Sequence, residues 1–145
     1  MRLWDSPVRI KEGFFMSFGE AIRSVFSHYA DFSGRARRSE YWYFTLMNIL
    51  ISMAVTVLQR SVGVKSGLYT LITGLYGIYS LGVLIPELAV ACRRLHDIGK
   101  SGWFLLLNLI PFFGQIVLIV WLCQDSFPGS NQYGECPKAK NFFQE

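Results

Sequence analysis

The feature that most constrains this chain is a long uncharged run. Residues 101–124 carry no charged side chain and are mostly apolar, and so are residues 41–59 and 66–86. A helix needs about 20 apolar residues to cross a bilayer core, so each run is long enough. A soluble domain would place charge on every helix, because each helix needs a face in water. The chain is therefore predicted to be an all-α, polytopic membrane bundle with three transmembrane helices in one domain, residues 16–137.

The first two runs carry polar and small residues at helical spacing. In the first run, five uncharged polar residues fall on one helical face: Thr45, Asn48, Ser52, Thr56 and Gln59. In lipid such a face packs against another helix or lines a solute path, and the absence of ionisable groups favours packing, notably through Asn48 and Ser52. The second run has small residues four apart, Thr70 with Gly74 and Thr73 with Gly77, a pattern that suits either internal packing or dimerisation.

Pro111 and Gly114 interrupt the third run. Proline inside a helix removes a backbone hydrogen bond, so a bend is expected there. The run then forms either a single kinked span or a hairpin bent at residues 111–114. A hairpin would have limbs of about ten residues, too short to cross separately. It would also expose backbone at the bend to lipid. We therefore predict one kinked span.

The basic residues predict the orientation, because Lys and Arg near span ends prefer the cytoplasm. They are concentrated before the first run and between the second and third: Arg35, Arg37, Arg38, Arg93, Arg94 and Lys100. Only Arg60 and Lys65 separate the first two runs. The N-terminus is therefore predicted to be cytoplasmic. Three crossings place the tail and Cys136 outside, whereas a hairpin keeps them inside.

The segment before the first run predicts a short amphipathic helix on the inner membrane surface. Its apolar residues follow helical spacing: Phe18, Ile22, Val25, Phe26 and Tyr29. Ser17 and Glu20 have the spacing of a capping box, so the helix is predicted to begin at Ser17.

Three boxes flank the runs: residues 32–42 (FSGRARRSEYW), 93–103 (RRLHDIGKSGW) and 128–137 (PGSNQYGECP). In this order and spacing they resemble the Domain of Unknown Function 805 family, with RRLHD followed by SGW as the most specific part. The resemblance covers residues 16–137 and implies a small bacterial multi-pass inner-membrane protein, without implying a reaction. It also makes residues 1–15 look like a dispensable, poorly ordered extension before a start at Met16. Residues 138–145 are expected to be a flexible tail.

The boxes contain ion-pairing groups without a catalytic constellation. Arg93 and Arg94 lie four and three residues before Asp97, so either can pair with it on a helical turn. Glu40 and Glu87 are alternative partners, and Glu87 lies on the same helical face as Arg94. His96 and Asp97 are adjacent and point apart, so they form no dyad. We expect no enzyme activity, no metal and no cofactor.

The sequence therefore predicts a structural or interaction module with a basic inner face. Its partners are expected to be anionic lipid, a membrane protein or a second copy, and not nucleic acid. The candidate contacts are Arg35, Arg37, Arg38, Glu40, Glu87, Arg93, Arg94, His96 and Asp97. Arg93 and Arg94 are expected to hold the inner face together and to touch headgroups, at about 1 kcal/mol each. A small oligomeric transporter or channel component is the alternative, and a membrane enzyme built on Glu87, His96 and Asp97 is a third possibility.

Overall fold

The computed structural model describes residues 16–138, and those residues form helices joined by short connections. The predicted extension at residues 1–15 and most of the predicted tail, residues 139–145, lie outside this part. The elements are α1 (Phe18–Ser27), α2 (Arg38–Val62), α3 (Gly67–Asp97), a 3₁₀ helix (Gly102–Leu109) and α4 (Phe113–Cys123). No strand occurs in this described part, which agrees with the predicted all-α class.

Helix α1 begins with the predicted capping box. The Ser17 side chain accepts a hydrogen bond from the backbone N–H of Glu20, and the Glu20 carboxylate accepts one from the N–H of Ser17. The apolar residues of α1 divide between two environments. Ala21 and Val25 are fully buried in the protein, whereas Phe18 and Phe26 are more than 40% exposed and touch α2 edge-on through Tyr43 and Phe44. Helix α1 therefore packs along the first turns of α2 and leaves an aromatic surface uncovered.

Helices α2 and α3 are both long and apolar enough to cross a membrane. Their 25 and 31 residues correspond to about 37 and 46 Å at 1.5 Å per residue. Two polar contacts join them: the Tyr79 hydroxyl donates to Asn48 Oδ1 at 2.7 Å, and Gln59 Nε2 donates to Thr73 Oγ1 at 2.9 Å. The pairs run in opposite directions along the two helices, so the helices are antiparallel.

The remaining polar residues of the α2 face satisfy themselves locally. The hydroxyls of Thr45, Ser52 and Thr56 donate to backbone carbonyls three or four residues earlier. Gly74 and Gly77 make no packing contact within the described chain, since a Cβ at either would meet nothing within 4 Å. Any close packing at these two glycines must therefore involve lipid or another chain.

Burial changes abruptly along α3. Up to Leu88 only Val83 and Pro86 are buried, and most of the large apolar side chains are 42–71% exposed: Leu68, Leu71, Leu75, Ile78, Leu81, Leu84, Ile85 and Leu88. From residue 89 to residue 97 every residue is buried. The first two thirds of α3 thus present a surface suited to lipid, and the last third lies inside folded protein.

The third run does not form the single kinked span that the sequence favoured. The 3₁₀ helix and α4 fold back on each other around residues 110–112, and the rings of Phe104 and Trp121 meet edge-on, 5.2 Å apart. Gly114 permits this close approach, because a Cβ there would collide with the carbonyl of Leu107. The run is a hairpin, which was the alternative left open.

Hydrogen bonds within the bend satisfy most of its backbone polar groups. This removes the objection that a hairpin would expose unpaired backbone to lipid. Ile110 N–H donates to Leu107 O, Phe113 N–H to Pro111 O, and Gly114 N–H to Ile110 O, at 2.9–3.2 Å. Phe112 takes φ +63°, a conformation that costs a non-glycine residue energy. The other objection was that each limb is too short to cross, and it does not apply to a chain that turns back.

Candidate functional site

The three boxes meet at the end of the helix pair where α2 begins and α3 ends, around the buried end of α3. We call residues 28–40, 89–100 and 125–138 the cap. Backbone hydrogen bonds join its parts directly, because Ala36 N–H donates to Arg93 O and Phe127 N–H donates to Asp97 O, both at 3.1 Å. Residues far apart in sequence therefore form one folded unit at one end of the molecule.

Asp97 lies at the centre of the cap and binds two arginines. One carboxylate oxygen accepts from Arg35 Nε at 3.0 Å, and the other accepts from Arg94 NH1. The side chains of Arg35, Arg94 and Asp97 are 1%, 0% and 0% exposed. A buried charge is costly unless it is paired and fully hydrogen-bonded. The arrangement therefore depends on all three groups being present.

Arg35 uses all five of its N–H donors. Besides Asp97 Oδ1 it donates to the backbone carbonyl of Asp97 at 3.2 Å. It also donates to three carbonyls of the C-terminal segment, at 2.6 Å to Phe127, 2.7 Å to Gly129 and 3.2 Å to Gly134. The rigid guanidinium fork has five donors in one plane, and no other side chain can make this set of contacts. Arg35 thus ties the first box to the second and third.

Arg94 ties the hairpin to the cap. Its Nε donates to Leu122 O at 3.3 Å and its NH2 donates to Gln124 O, where α4 ends. The predicted contact between Arg94 and Glu87 is not formed. Seven residues of helix separate the two by about 10 Å, and Asp97 lies only one turn away. Glu87 is half-buried and makes no ion pair within residues 16–138.

Arg93 points away from Asp97 and pairs with Glu40 at the start of α2, at 3.1 Å. The same Glu40 oxygen accepts from the hydroxyl of Ser24 in α1, also at 3.1 Å. These three residues join α1, α2 and α3. Arg93 Nε and NH2 are buried and have no hydrogen-bond partner among residues 16–138, and Glu40 is the carboxylate with which Arg93 forms an ion pair there.

His96 of the second box packs against residues of the first and third boxes. Its ring stacks on Tyr133 with centroids 3.7 Å apart, and its Nδ1 donates to Gly34 O at 3.2 Å. Asn131 Nδ2 donates to the His96 backbone carbonyl at 2.8 Å. His96 Nε2 lies 3.6 Å from Cys92 Sγ. The histidine is held on every side by structural contacts, and Asp97 is directed to the arginines and not to it.

The rim of the cap carries the more accessible charges. Arg38 is 44% exposed and reaches Asp125 at 3.4 Å, and Lys138 also binds Asp125. The hydrogen bond from Lys138 holds the pKa of the Asp125 carboxyl below its usual value. Lys100 Nζ sits 4.3 Å from the ring centroid of Trp121. Arg37 donates to Pro137 O at 2.6 and 3.1 Å.

This geometry corrects one expectation and adds residues that sequence reasoning missed. Arg93 and Arg94 are 4% and 0% exposed, so neither presents its charge to a lipid headgroup. Asn131 and Tyr133 had no assigned role, although Asn131 forms a turn by accepting the N–H of Tyr133, a pattern typical of asparagine. No group of three or more His, Cys, Asp or Glu in residues 16–138 is placed to hold a metal ion.

Comparison with known proteins gives the family. The family model "Protein of unknown function (DUF805)" matches residues 29–135. The inner membrane protein YhaI of Escherichia coli K12 is 43% identical over 115 residues, which cover 79% of this chain and 92% of that protein. The inner membrane protein YhaH of the same strain is 44% identical over 115 residues, 79% of this chain and 93% of that protein. No solved structure matches the chain.

The chain therefore belongs to the DUF805 family. Its relatives are inner membrane proteins, and the chain itself has two apolar helices of spanning length, which supports an integral membrane protein. The resemblance based on the three boxes is confirmed. The matched region contains all of Arg35, Glu40, Arg93, Arg94 and Asp97.

Proposed function

We propose that this protein is a multi-pass inner-membrane interaction module. Helices α2 and α3 cross the bilayer, the N-terminus is cytoplasmic, and the cap is a rigid cytoplasmic unit that binds anionic lipid headgroups at its rim. The observation that carries the proposal is the Arg35 guanidinium, which joins the Asp97 carboxylate to three carbonyls of the C-terminal segment. That single side chain lies in the first box and contacts both of the others.

The distribution of charge supports the orientation. The cap contains most of the basic residues near the span ends, whereas the connection between α2 and α3 adds only Lys65, with Arg60 in the last turn of α2. Basic residues favour the cytoplasmic side. Two crossings with a hairpin keep the whole cap there.

The burial step in α3 supports the depth of the helices. If lipid covers α3 up to Leu88, then Tyr41 and Trp42 at the start of α2 lie near the headgroups, where such aromatics are enriched. Helix α1 packs beside them with Phe18 and Phe26 uncovered, and we propose that these rings enter the inner interface.

Headgroup binding falls to exposed cations, because the central arginines are buried. Arg23 on α1 is exposed, and the Arg38 side chain is 44% exposed at the rim. Each cation near an anionic surface contributes about 1 kcal/mol. The central ion pairs hold the cap in shape, and Arg38 at its rim together with Arg23 on α1 supplies the attraction.

The double variant Arg23→Gln/Arg38→Gln tests this division of roles. We expect native mass spectrometry in mixed micelles to show several-fold less retained phosphatidylglycerol or cardiolipin, with an unchanged melting temperature. Arg60→Gln is the matched control, since Arg60 is exposed at the opposite end of α2. Equal retention in the double variant and in the control would refute headgroup binding at the rim.

The transporter alternative has less support. The polar face of α2 would have to line its path, yet Asn48 and Gln59 bind α3, and three hydroxyls bond to their own helix. Flux of small solutes into liposomes containing the purified protein would favour the transporter over the interaction module.

A further inference from the structure

The hairpin of residues 101–124 presents the most exposed apolar surface of the described chain. Trp103, Leu109, Phe112 and Phe113 are each 77–80% exposed, and the hairpin carries no charged residue. A contiguous exposed patch of this kind marks a membrane or a protein interface. If they faced water, each of these side chains would lose the free energy of about 1.5–3 kcal/mol that burial of a large apolar side chain contributes.

Both ends of the hairpin are fixed at the cap. At its start, Lys100 lies over the ring of Trp121, near the end of α4. At its end, Arg94 binds the carbonyls of Leu122 and Gln124, and Arg38 NH1 donates to Cys123 O at 3.4 Å. The chain therefore enters and leaves the hairpin on the same side of the molecule.

The two limbs have matching lengths. Eight residues of 3₁₀ helix rise about 16 Å at 2.0 Å per residue. Eleven residues of α4 rise about 16 Å at 1.5 Å per residue. Each limb is about half of a hydrocarbon core of roughly 30 Å.

The hairpin is also continuous with the surfaces of the crossing helices. Leu118 and Leu122 of α4 pack on Leu95 of α3, and Tyr41 and Trp42 of α2 pack against the same cluster. The bend pairs the N–H groups of Ile110, Phe113 and Gly114 internally, which lowers the cost of placing this turn in lipid.

We propose that the hairpin is a re-entrant element. It enters the leaflet next to the cap, turns within the hydrocarbon of that leaflet and returns to the same side, so that Leu109, Phe112 and Phe113 contact lipid acyl chains. The occupant of this surface is the hydrocarbon of that leaflet. The inference rests on the proposed position of the cap at the membrane surface, but not on headgroup binding at the rim.

Nitroxide labels at single cysteines measure this depth directly. In a background without Cys92, Cys123 and Cys136, one label is placed at the tip (Phe113→Cys) and one on the cap (Gln132→Cys). The purified variants are reconstituted in phosphatidylethanolamine and phosphatidylglycerol vesicles. Frequent collision of the label with oxygen indicates a lipid environment, and frequent collision with a water-soluble nickel chelate indicates an aqueous one. Both positions are exposed, so labelling leaves the fold intact, which the melting temperature verifies.

We expect a several-fold higher oxygen-to-nickel collision ratio at position 113 than at position 132, with the value at 113 in the range of lipids labelled on their acyl chains. A ratio at 113 as low as at 132 would overturn the proposal, because the tip would then lie in water. A deep tip would also overturn the proposal if a label at position 132 lay on the same side of the membrane as a label in the α2–α3 connection. The run would then cross the bilayer completely. The lipid retention of the Arg23→Gln/Arg38→Gln variant tests only headgroup binding and does not bear on the re-entrant hairpin.

Discussion

Asp97→Asn should destabilise the protein by about 3–5 kcal/mol, the range for breaking a buried ion pair by removing one partner. The substitution keeps the shape of the side chain and removes its charge. Arg35 and Arg94, both almost completely buried, would then lack their shared counter-ion. The melting temperature in detergent, followed by loss of the monodisperse chromatographic peak, measures the effect.

Asp125→Asn is the matched control for this experiment. Asp125 also binds two basic residues, Arg38 and Lys138, but its side chain is 60% exposed. Exposed pairs contribute about 0–1 kcal/mol, so we expect little change. Similar shifts for the two variants would mean that the Asp97 network does not hold the cap together.

Arg35→Gln should release the C-terminal segment from the cap. Four of the five Arg35 hydrogen bonds go to backbone carbonyls, and three of these belong to residues 127–134. Glutamine is shorter and has two donors, so it cannot replace them. Hydrogen bonds to charged groups contribute about 1.5–3 kcal/mol each, and we expect a stability loss at least of that order.

Limited chymotrypsin digestion detects the release. Tyr133 is stacked on His96 in the intact cap, and we expect cleavage after it to become several-fold faster in Arg35→Gln. Arg38→Gln, which removes a neighbouring arginine from the rim, should digest at the parental rate. If both variants are cleaved equally fast, the C-terminal segment is held by something other than Arg35.

Local patterns predicted the local parts of this structure well. The capping box at Ser17, the two long apolar helices and the pairing of Arg94 with Asp97 all depend on residues within a turn or a continuous run. The polar face of α2 was predicted to meet another helix, and Tyr79 and Thr73 of α3 bind it. Such features follow from helical periodicity alone.

Contacts between distant residues were beyond those patterns. Arg35 and Asp97 are 62 positions apart, and the carbonyls that Arg35 binds lie more than 90 positions away. A sequence does not show which backbone carbonyls accept hydrogen bonds from side chains. A buried arginine that binds carbonyls therefore cannot be told from an arginine that faces water by sequence alone. That is why Arg94 was expected at headgroups and is found with no exposure.

The hairpin was set aside for a related reason. Counting residues treats each uncharged run as one crossing, and nothing local in residues 101–124 reports that Gly114 packs on the Leu107 carbonyl. Pro111 indicated where the run is interrupted, but not that α4 turns back and packs against Leu95.

The central claim is that all three boxes form one cap on the cytoplasmic side. Cys136 is a poor probe because it is only 8% exposed, so a cysteine at the exposed position 132 replaces it in the cysteine-free background. Lys65→Cys, in the connection between α2 and α3, provides the opposite side. With a membrane-impermeant maleimide on intact spheroplasts, we expect Lys65→Cys to be labelled at once and Gln132→Cys only after the membrane is broken. Labelling of Gln132→Cys in intact spheroplasts would place the C-terminal segment outside and contradict the cap.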